Sequence, residues 1–460
     1  MIELRVKELA EICGGKLVWG DGETSFRGVS IDSRKIEPGQ VFFALRGENF
    51  DGQDFVEQVF EKGAAAAVVL KDFKGNARGK CLVQVEDTLS ALQRLAAWWR
   101  RKFDIPVIGI TGSSGKTTTK DILAGILSTS GEVCRTRGNL NNHIGLPLVL
   151  LELSRSCRFC VVEMAMRGLG EIAQLCEIAA PTGGIITNIG VAHYERLGSR
   201  ENIARAKGEL AQSLPQEGFL LLNSEDEWSS LIGSLTSAEV IYYGMGNIAR
   251  IRAEKVQCEP WGSSFVLVSD KVSGPLELPI PGKHNLYNCL AAVGAALQLG
   301  LGLEEIQQGL NQIHLTKMRL EILKGIRDTT IINDAYNANP DSMKASLRVL
   351  KDFSGNRRIA VLGDMLELGV IAVKEHREVG REAVHLGIDY LITVGELAEY
   401  IAQGAMDAGL PEKNVFCVSD KGQAAERLKR IVAPGDVILV KGSRAMGMEE
   451  IVNALKDAED

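Results

Sequence analysis

One stretch constrains this chain more than any other: Ile105-Pro-Val-Ile-Gly-Ile-Thr-Gly-Ser-Ser-Gly-Lys-Thr-Thr-Thr119. The apolar run Ile105 to Ile110 predicts a short buried strand. Gly112-Ser113-Ser114-Gly115 breaks it, and from Lys116 onward the apolar spacing is helical. Strand, Gly-rich turn and helix N-terminus together make a phosphate cradle. Backbone N–H groups converge there, the helix dipole adds positive potential, and a Lys neutralises a phosphate chain. Gly112, Ser113, Ser114, Gly115, Lys116, Thr117 and Thr118 are the candidate contacts for a nucleoside triphosphate. The Thr117 hydroxyl stands where such loops ligand Mg²⁺. The spacing is shorter than the common G-x-x-x-x-G-K-[ST] form, because Ile110 occupies the position five before Gly115. A tight turn with a solvated Lys is the structural alternative.

The rest of the chain sets bounds on that nucleotide site. Its 460 residues suggest about three domains. A net charge of −7, without a basic block, argues against nucleic acid or an anionic membrane as the main partner. Phosphate binding then rests on local groups. Met1-Ile-Glu-Leu-Arg-Val-Lys-Glu-Leu9 lacks the apolar core of a signal peptide, and no run approaches the ~20 apolar residues of a membrane span. Nine scattered cysteines fit a reducing, cytoplasmic compartment. Cys157 and Cys160 form a lone C-x-x-C leading into a strand pattern, and are read as buried thiols.

Three domains are expected: 1–82, 83–316 and 317–460. In the first, short apolar runs alternate with Gly-rich turns as in a small α/β unit. Ser30-Ile-Asp32-Ser33-Arg34 and Arg46-Gly-Glu-Asn-Phe-Asp-Gly52 interrupt it; they read as surface loops or as binders of a phosphorylated, nucleotide-like group. The second opens on a helical segment from Thr88 to Phe103 and carries the phosphate loop in a P-loop ATPase-like α/β domain. Thr136-Arg-Gly-Asn-Leu-Asn-Asn142-His-Ile-Gly-Leu-Pro147 is rich in amides, which suit turns as well as a site. Glu163 ends one strand pattern and His193 follows another, where parallel sheets present ligand contacts. Lys207 lies in a helix pattern and reads as a surface residue. Asn285 stands at the start of a small-residue helix, Cys289 to Leu299, where capping is its default role.

After residue 316, strand and helix patterns alternate as in a Rossmann-like doubly wound sheet. No strand is followed by G-x-G-x-x-G, so dinucleotide binding is not expected. Three polar loops follow its strands: Asp334-Ala-Tyr336-Asn337-Ala-Asn339-Pro-Asp-Ser342, Gly363-Asp-Met-Leu-Glu-Leu-Gly369 and Lys441-Gly-Ser-Arg444. Each alone forms a turn; three on one sheet edge favour a site.

Asp32-Ser-Arg34, Pro38-Gly-Gln-Val-Phe-Phe-Ala-Leu-Arg-Gly47 and Asp51-Gly-Gln-Asp-Phe55 resemble the N-terminal domain of the amino-acid-adding peptidoglycan (Mur) ligases. The resemblance continues through the phosphate loop, the Asn-rich loop, Ala206-Lys-Gly-Glu-Leu210 and the three loops of the last domain. It implies that Ser30, Asp32, Ser33, Arg34 and Arg46 hold a UDP group. It implies that Glu163 and His193 help hold two Mg²⁺ ions, and that Lys207 reacts with CO₂ to become a carbamate ligand. Asn285 would contact the adenine of ATP, and Arg319 and Asp334 would meet ATP on domain closure. Asn142, Tyr336, Asn337, Asn339 and Ser342 would face the substrates. Asp334-Ala-Tyr-Asn-Ala-Asn-Pro340, with no D-N-P-R motif, resembles the branch joining D-alanyl-D-alanine to UDP-N-acetylmuramoyl-tripeptide. The implied enzyme is a monomeric, ADP-forming ligase. A third-residue-adding or folylpolyglutamate-type ligase is the related alternative, and a P-loop switch that ligates nothing is the competing class.

Overall fold

The computed structural model describes residues 1–47, 50–77 and 79–457. Glu48 and Asn49 of the Arg46–Gly52 loop lie outside the described residues. Among those described, no helix is long and apolar enough to cross a membrane.

The first sheet has five strands in the order Lys16–Trp19, Cys81–Val85, Ala66–Leu70, Val41–Phe43, Val29–Ser30, all parallel except the first. It runs through Val85, so the expected boundary at 82 cuts a strand. Asp87 then caps the helix Thr88–Arg100, its carboxylate accepting from the Ser90 N–H at 2.7 Å. Ser30–Arg34 and Arg46 follow the C-terminal ends of two neighbouring parallel strands. The loops that the sequence marks as nucleotide-like binders thus share the ligand edge of one sheet.

The central sheet has nine strands, ordered Ser273–Leu278, Gly262–Val268, Ile251–Glu259, Glu239–Gly244, Phe219–Asn223, Gly183–Ile186, Val107–Thr111, Cys157–Glu163, Glu132–Arg135. The first three form an antiparallel meander, and the others run parallel. Val107–Thr111 is buried at all five positions, as its unbroken apolar pattern requires. From it the chain goes first to one side of the sheet and then, with Gly183–Ile186, to the other. The phosphate loop therefore opens at a switch point, where neighbouring loops part and leave a crevice. Its helix, Lys116–Leu127, packs through Ile122, Leu123 and Ile126 against the small-residue helix Lys283–Gln298. That helix begins at Lys283, earlier than expected. Gly282 occupies its N-cap and Asn285 lies inside the first turn, which removes capping as the reason for this Asn.

The last sheet is ordered Glu321–Gly325, Thr329–Asn333, Val437–Lys441, Arg358–Gly363, Tyr390–Val394, Val415–Val418, parallel except for its first strand. Helices cover both faces around two apolar cores, as a doubly wound sheet demands.

Candidate active site

Two glycines shape the phosphate loop. Gly112 has φ +148°, and a Cβ there would sit 1.8 Å from the Thr187 hydroxyl; Gly115 has φ +81°, and its Cβ would sit 2.3 Å from Asn288 Oδ1. Side chains are excluded by space as well as by conformation. The first bond within the following helix runs from the Thr119 N–H to the Gly115 carbonyl at 2.9 Å. The N–H groups of Lys116, Thr117 and Thr118 are left without intrahelical acceptors, the arrangement that receives an anion. The upstream part of the loop is held by Asn188. Its carbonyl accepts from the Ser113 N–H at 2.9 Å and its Oδ1 from the Ser114 N–H at 3.0 Å.

Around this loop the fold gathers residues from distant positions. Thr117 donates its hydroxyl to Glu163 Oε2 at 2.8 Å, and Asn141 Nδ2 reaches Glu163 Oε1 at 2.8 Å. Glu163 is 2% exposed, at the end of its buried strand. Lys207 is 1% exposed, and the helix explains why. Ser199 caps Arg200–Gln212, whose buried face runs through Ile203, Lys207, Leu210 and Ala211 at i, i+4 and i+7/i+8. Lys207 thus occupies a core position of its helix, which corrects the surface reading. Its Nζ donates to the Gly112 carbonyl at 3.0 Å, and no carboxylate pairs with it among the described residues. Burial, with the charge of Lys116, drives its ammonium well below the usual lysine range. Lys116 donates to the same carbonyl at 2.8 Å. Burial lowers its pKa, Glu163 opposes that shift and Arg319 adds to it.

The last domain closes onto this cluster. Arg319 donates to the Thr117 hydroxyl at 3.2 Å and stacks on Tyr336, its Cζ 4.2 Å from the ring centroid, while its buried Nε has no partner among the described residues. Asp334 is the hub of a buried network. It accepts from Lys441 Nζ at 2.5 Å, the Ser346 hydroxyl at 2.6 Å and the Leu320 N–H at 3.2 Å. Asn339 caps the helix Pro340–Asp352 in a reciprocal capping box with Ser342, and its Nδ2 lies 3.4 Å from the Ser113 carbonyl. Turn formation and site geometry coincide in these two residues. Asn337 Oδ1 accepts from the Arg444 N–H at 3.2 Å. His193, at the N-cap of the short helix Tyr194–Leu197, is bonded through Nδ1 to Glu367 Oε2 at 2.5 Å. Burial lowers its pKa, the Glu367 bond opposes that, and the charges of Lys207 and Lys116 lower it further.

Between the central and last domains lies a cavity of about 430 Å³. Gly115, Thr118, Asn285, Arg319, Asp334 and Ser342 help to line it. Asn285 is buried, bonded to the Pro281 carbonyl at 2.8 Å and to Asn288 at 2.9 Å. The first domain's residues stand apart from this cavity. Asp32 is held down to about 2 by the Arg34 guanidinium, which bonds both its oxygens at 2.9 Å. Ser30 bonds to the backbone of Asp32 at 3.2 Å, and the Ser33 carbonyl accepts from Lys62 at 2.8 Å. Arg46 pairs with Asp51 at 2.8 Å.

Asn142 is exposed, and its Oδ1 accepts from the N–H groups of Ile144 and Gly145 at 3.1 and 2.8 Å, so it shapes the entry to the helix Gly145–Leu151. Its neighbour Asn141 is the amide that meets Glu163. The sequence gives Asn188 no role, and it marks Glu367 and Lys441 only as members of polar loops at one sheet edge; Lys441 stands out further as the cation ending an unbroken apolar strand.

Among the described residues, no group of three or more His, Cys, Asp or Glu side chains can hold a metal by itself. The donor set still fits Mg²⁺ carried in on phosphate. A buried carboxylate and hydroxyl face each other beside the loop, and a buried amine lacks a counter-charge. Carbamylation of that amine would supply oxygen ligands.

The fold and site define a three-domain, phosphate-loop nucleotide-binding enzyme whose cavity is shared between two domains. The chain belongs to the Mur ligase family. Family models match in three segments: "Mur ligase family, catalytic domain" over 25–100, "Mur ligase middle domain" over 110–296, and "Mur ligase, glutamate ligase domain" over 318–444. It is 39% identical to the UDP-N-acetylmuramoyl-tripeptide--D-alanyl-D-alanine ligase of Bacillus subtilis, with 99% of each chain covered. The protein of that name from Synechocystis is 40% identical, over 93% of this chain and 91% of its own. Among solved structures, MurF from Acinetobacter baumannii superposes with a TM-score of 0.90 at 32% identity, covering 98% of both chains. MurF from Thermotoga maritima in complex with ADP gives 0.80 at 26% identity, covering 93% of this chain and 96% of that one.

Proposed function

We propose that this chain joins D-alanyl-D-alanine to UDP-N-acetylmuramoyl-tripeptide, coupled to cleavage of ATP to ADP and phosphate. The observation that carries this reading is the full-length likeness to ligases of that name, running through all three domains. The assembled site gives it chemical sense. The tripeptide carboxylate attacks the γ-phosphorus, ADP leaves, and an acyl phosphate forms. The amine of the dipeptide attacks that carbonyl, loses a proton, and inorganic phosphate departs.

This chain's residues act on charge and position. Lys116, the free N–H groups at the start of its helix and the Arg319 guanidinium face the phosphates, whose oxygens gain charge as the bond to ADP breaks. Asn285 contacts the adenine. Ser30, Asp32, Ser33, Arg34 and Arg46 hold the UDP end. Tyr336, Asn337, Asn339 and Ser342 border the place of the incoming dipeptide. Thr117, Glu163, His193 and a carbamylated Lys207 would hold Mg²⁺, which when bound neutralises phosphate charge and orients the reacting oxygens. Because the substrates' parts meet three domains, closure excludes water from the acyl phosphate. The unpaired cysteines fit a cytoplasmic enzyme.

The test is mass spectrometry of the UDP product after incubation with ATP, Mg²⁺ and both substrates. The expected species is the UDP-substrate plus one dipeptide minus water; unchanged UDP-substrate would remove the reading.

A further inference from the structure

His193 belongs to the central domain and Glu367 to the last, 174 positions away, yet they share the 2.5 Å bond at Nδ1. Both residues have left-handed backbones, φ +64° and +62°, a conformation that costs free energy for any non-glycine and persists where the surroundings enforce it. The contact extends beyond one bond. The Glu195 N–H donates to the Glu367 carbonyl at 3.1 Å, and a Cβ on Gly369 (φ +53°) would lie 3.2 Å from the Glu195 Cα and Cβ. Val191, on the same central-domain loop, packs against the core of the last domain. His193 Nε2 has no hydrogen-bond partner among the described residues. The strained loop of one domain is thus seated on the strained loop of the other, with a carboxylate fixing one ring nitrogen and the second left open.

We propose that Glu367 is a positioning residue for His193. By accepting the Nδ1 proton it sets the tautomer and ring orientation that leave the Nε2 lone pair available, and it does so only while the last domain is docked. A carboxylate behind a ligating imidazole is the general device for this. Here it sits on a different domain from the ring it orients, so completion of the central site depends on domain closure. The inference rests on the ligase reading for its kinetic arm and on the fold alone for its spectroscopic arm.

The chain has six histidines, so long-range ¹⁵N–¹H spectra of ¹⁵N-histidine-labelled full chain are tractable, with the signal of His193 assigned by its loss in His193→Gln. In the wild type the Nδ1–H tautomer is expected. Glu367→Ala should shift it toward the Nε2–H form and lower kcat about 10- to 100-fold, with KM for the UDP-substrate within about twofold. Glu367→Gln keeps an acceptor oxygen and should recover most of both losses. A wild-type tautomer in Glu367→Ala overturns the proposal, even if kcat falls. So does a Gln variant as impaired as Ala, which would point to the charge alone. If the wild type ligates nothing while the tautomer shifts as expected, the ligase reading fails and the positioning role stands.

Discussion

Lys116 and Lys207 donate to one carbonyl oxygen, that of Gly112, at 2.8 and 3.0 Å. Two ammonium groups on one neutral acceptor repel each other, and among the described residues Glu163 alone supplies nearby opposing charge for Lys116. The arrangement is relieved when phosphate arrives at Lys116 and when Lys207 gives up its positive charge.

Lys207→Ala should therefore be close to inactive, and a short carboxylate such as formate or acetate should restore part of the rate by supplying the missing oxygens. Initial rates with and without added formate measure this. Wild-type activity in the variant would remove the carbamate reading.

Asn141 and Asn142 should separate cleanly. Asn141→Ala frees one oxygen of Glu163 and should lower kcat with little change in stability. Asn142→Ala removes a cap-like bond pair and should cost about 1 kcal/mol of stability with activity largely kept. Kinetics and urea unfolding of both variants decide it, and the reverse pattern would give the catalytic role to Asn142.

The phosphate loop, the domain order and the strand-end positions of Glu163 and His193 were legible because each depends on a short run of residues. Lys207 could be placed only through resemblance, since one buried lysine on an amphipathic helix is indistinguishable from a solvated one until the neighbouring sheet is known. Asn141 and Asn142 differ by one position in a loop without periodicity, so no pattern says which faces inward. Arg319 with Thr117, Lys441 with Asp334, and Glu367 with His193 join residues over 100 positions apart. Such pairings are products of packing.

The Lys441–Asp334 pair is buried, so removing one partner strands the other charge. Lys441→Met should destabilise the last domain by about 3–5 kcal/mol in urea unfolding. Adding Asp334→Asn should recover part of that loss, and additive losses would show that the two charges are not coupled.

Burial pushes the His284 pKa down to about 4, with Lys441 and Arg348 adding to the shift and Asp334 opposing it. The unfolded chain takes up a proton from about pH 6.5 downward that the folded chain refuses until about pH 4. Stability from this site should fall across that window as pH drops and level off below it. Melting temperatures of wild type and His284→Phe over pH 4–7 check the sign: the variant should show the shallower slope. Equal slopes would mean that His284 titrates normally in the fold.

The most direct measurement is phosphate release from ATP in four mixtures: no acceptor, UDP-N-acetylmuramoyl-tripeptide alone, D-alanyl-D-alanine alone, and both. Sustained release is expected only with both, and near-background release from Lys116→Ala in the full mixture although that variant still binds the UDP-substrate. Slow release indifferent to either substrate would contradict it and make the chain a nucleotide switch.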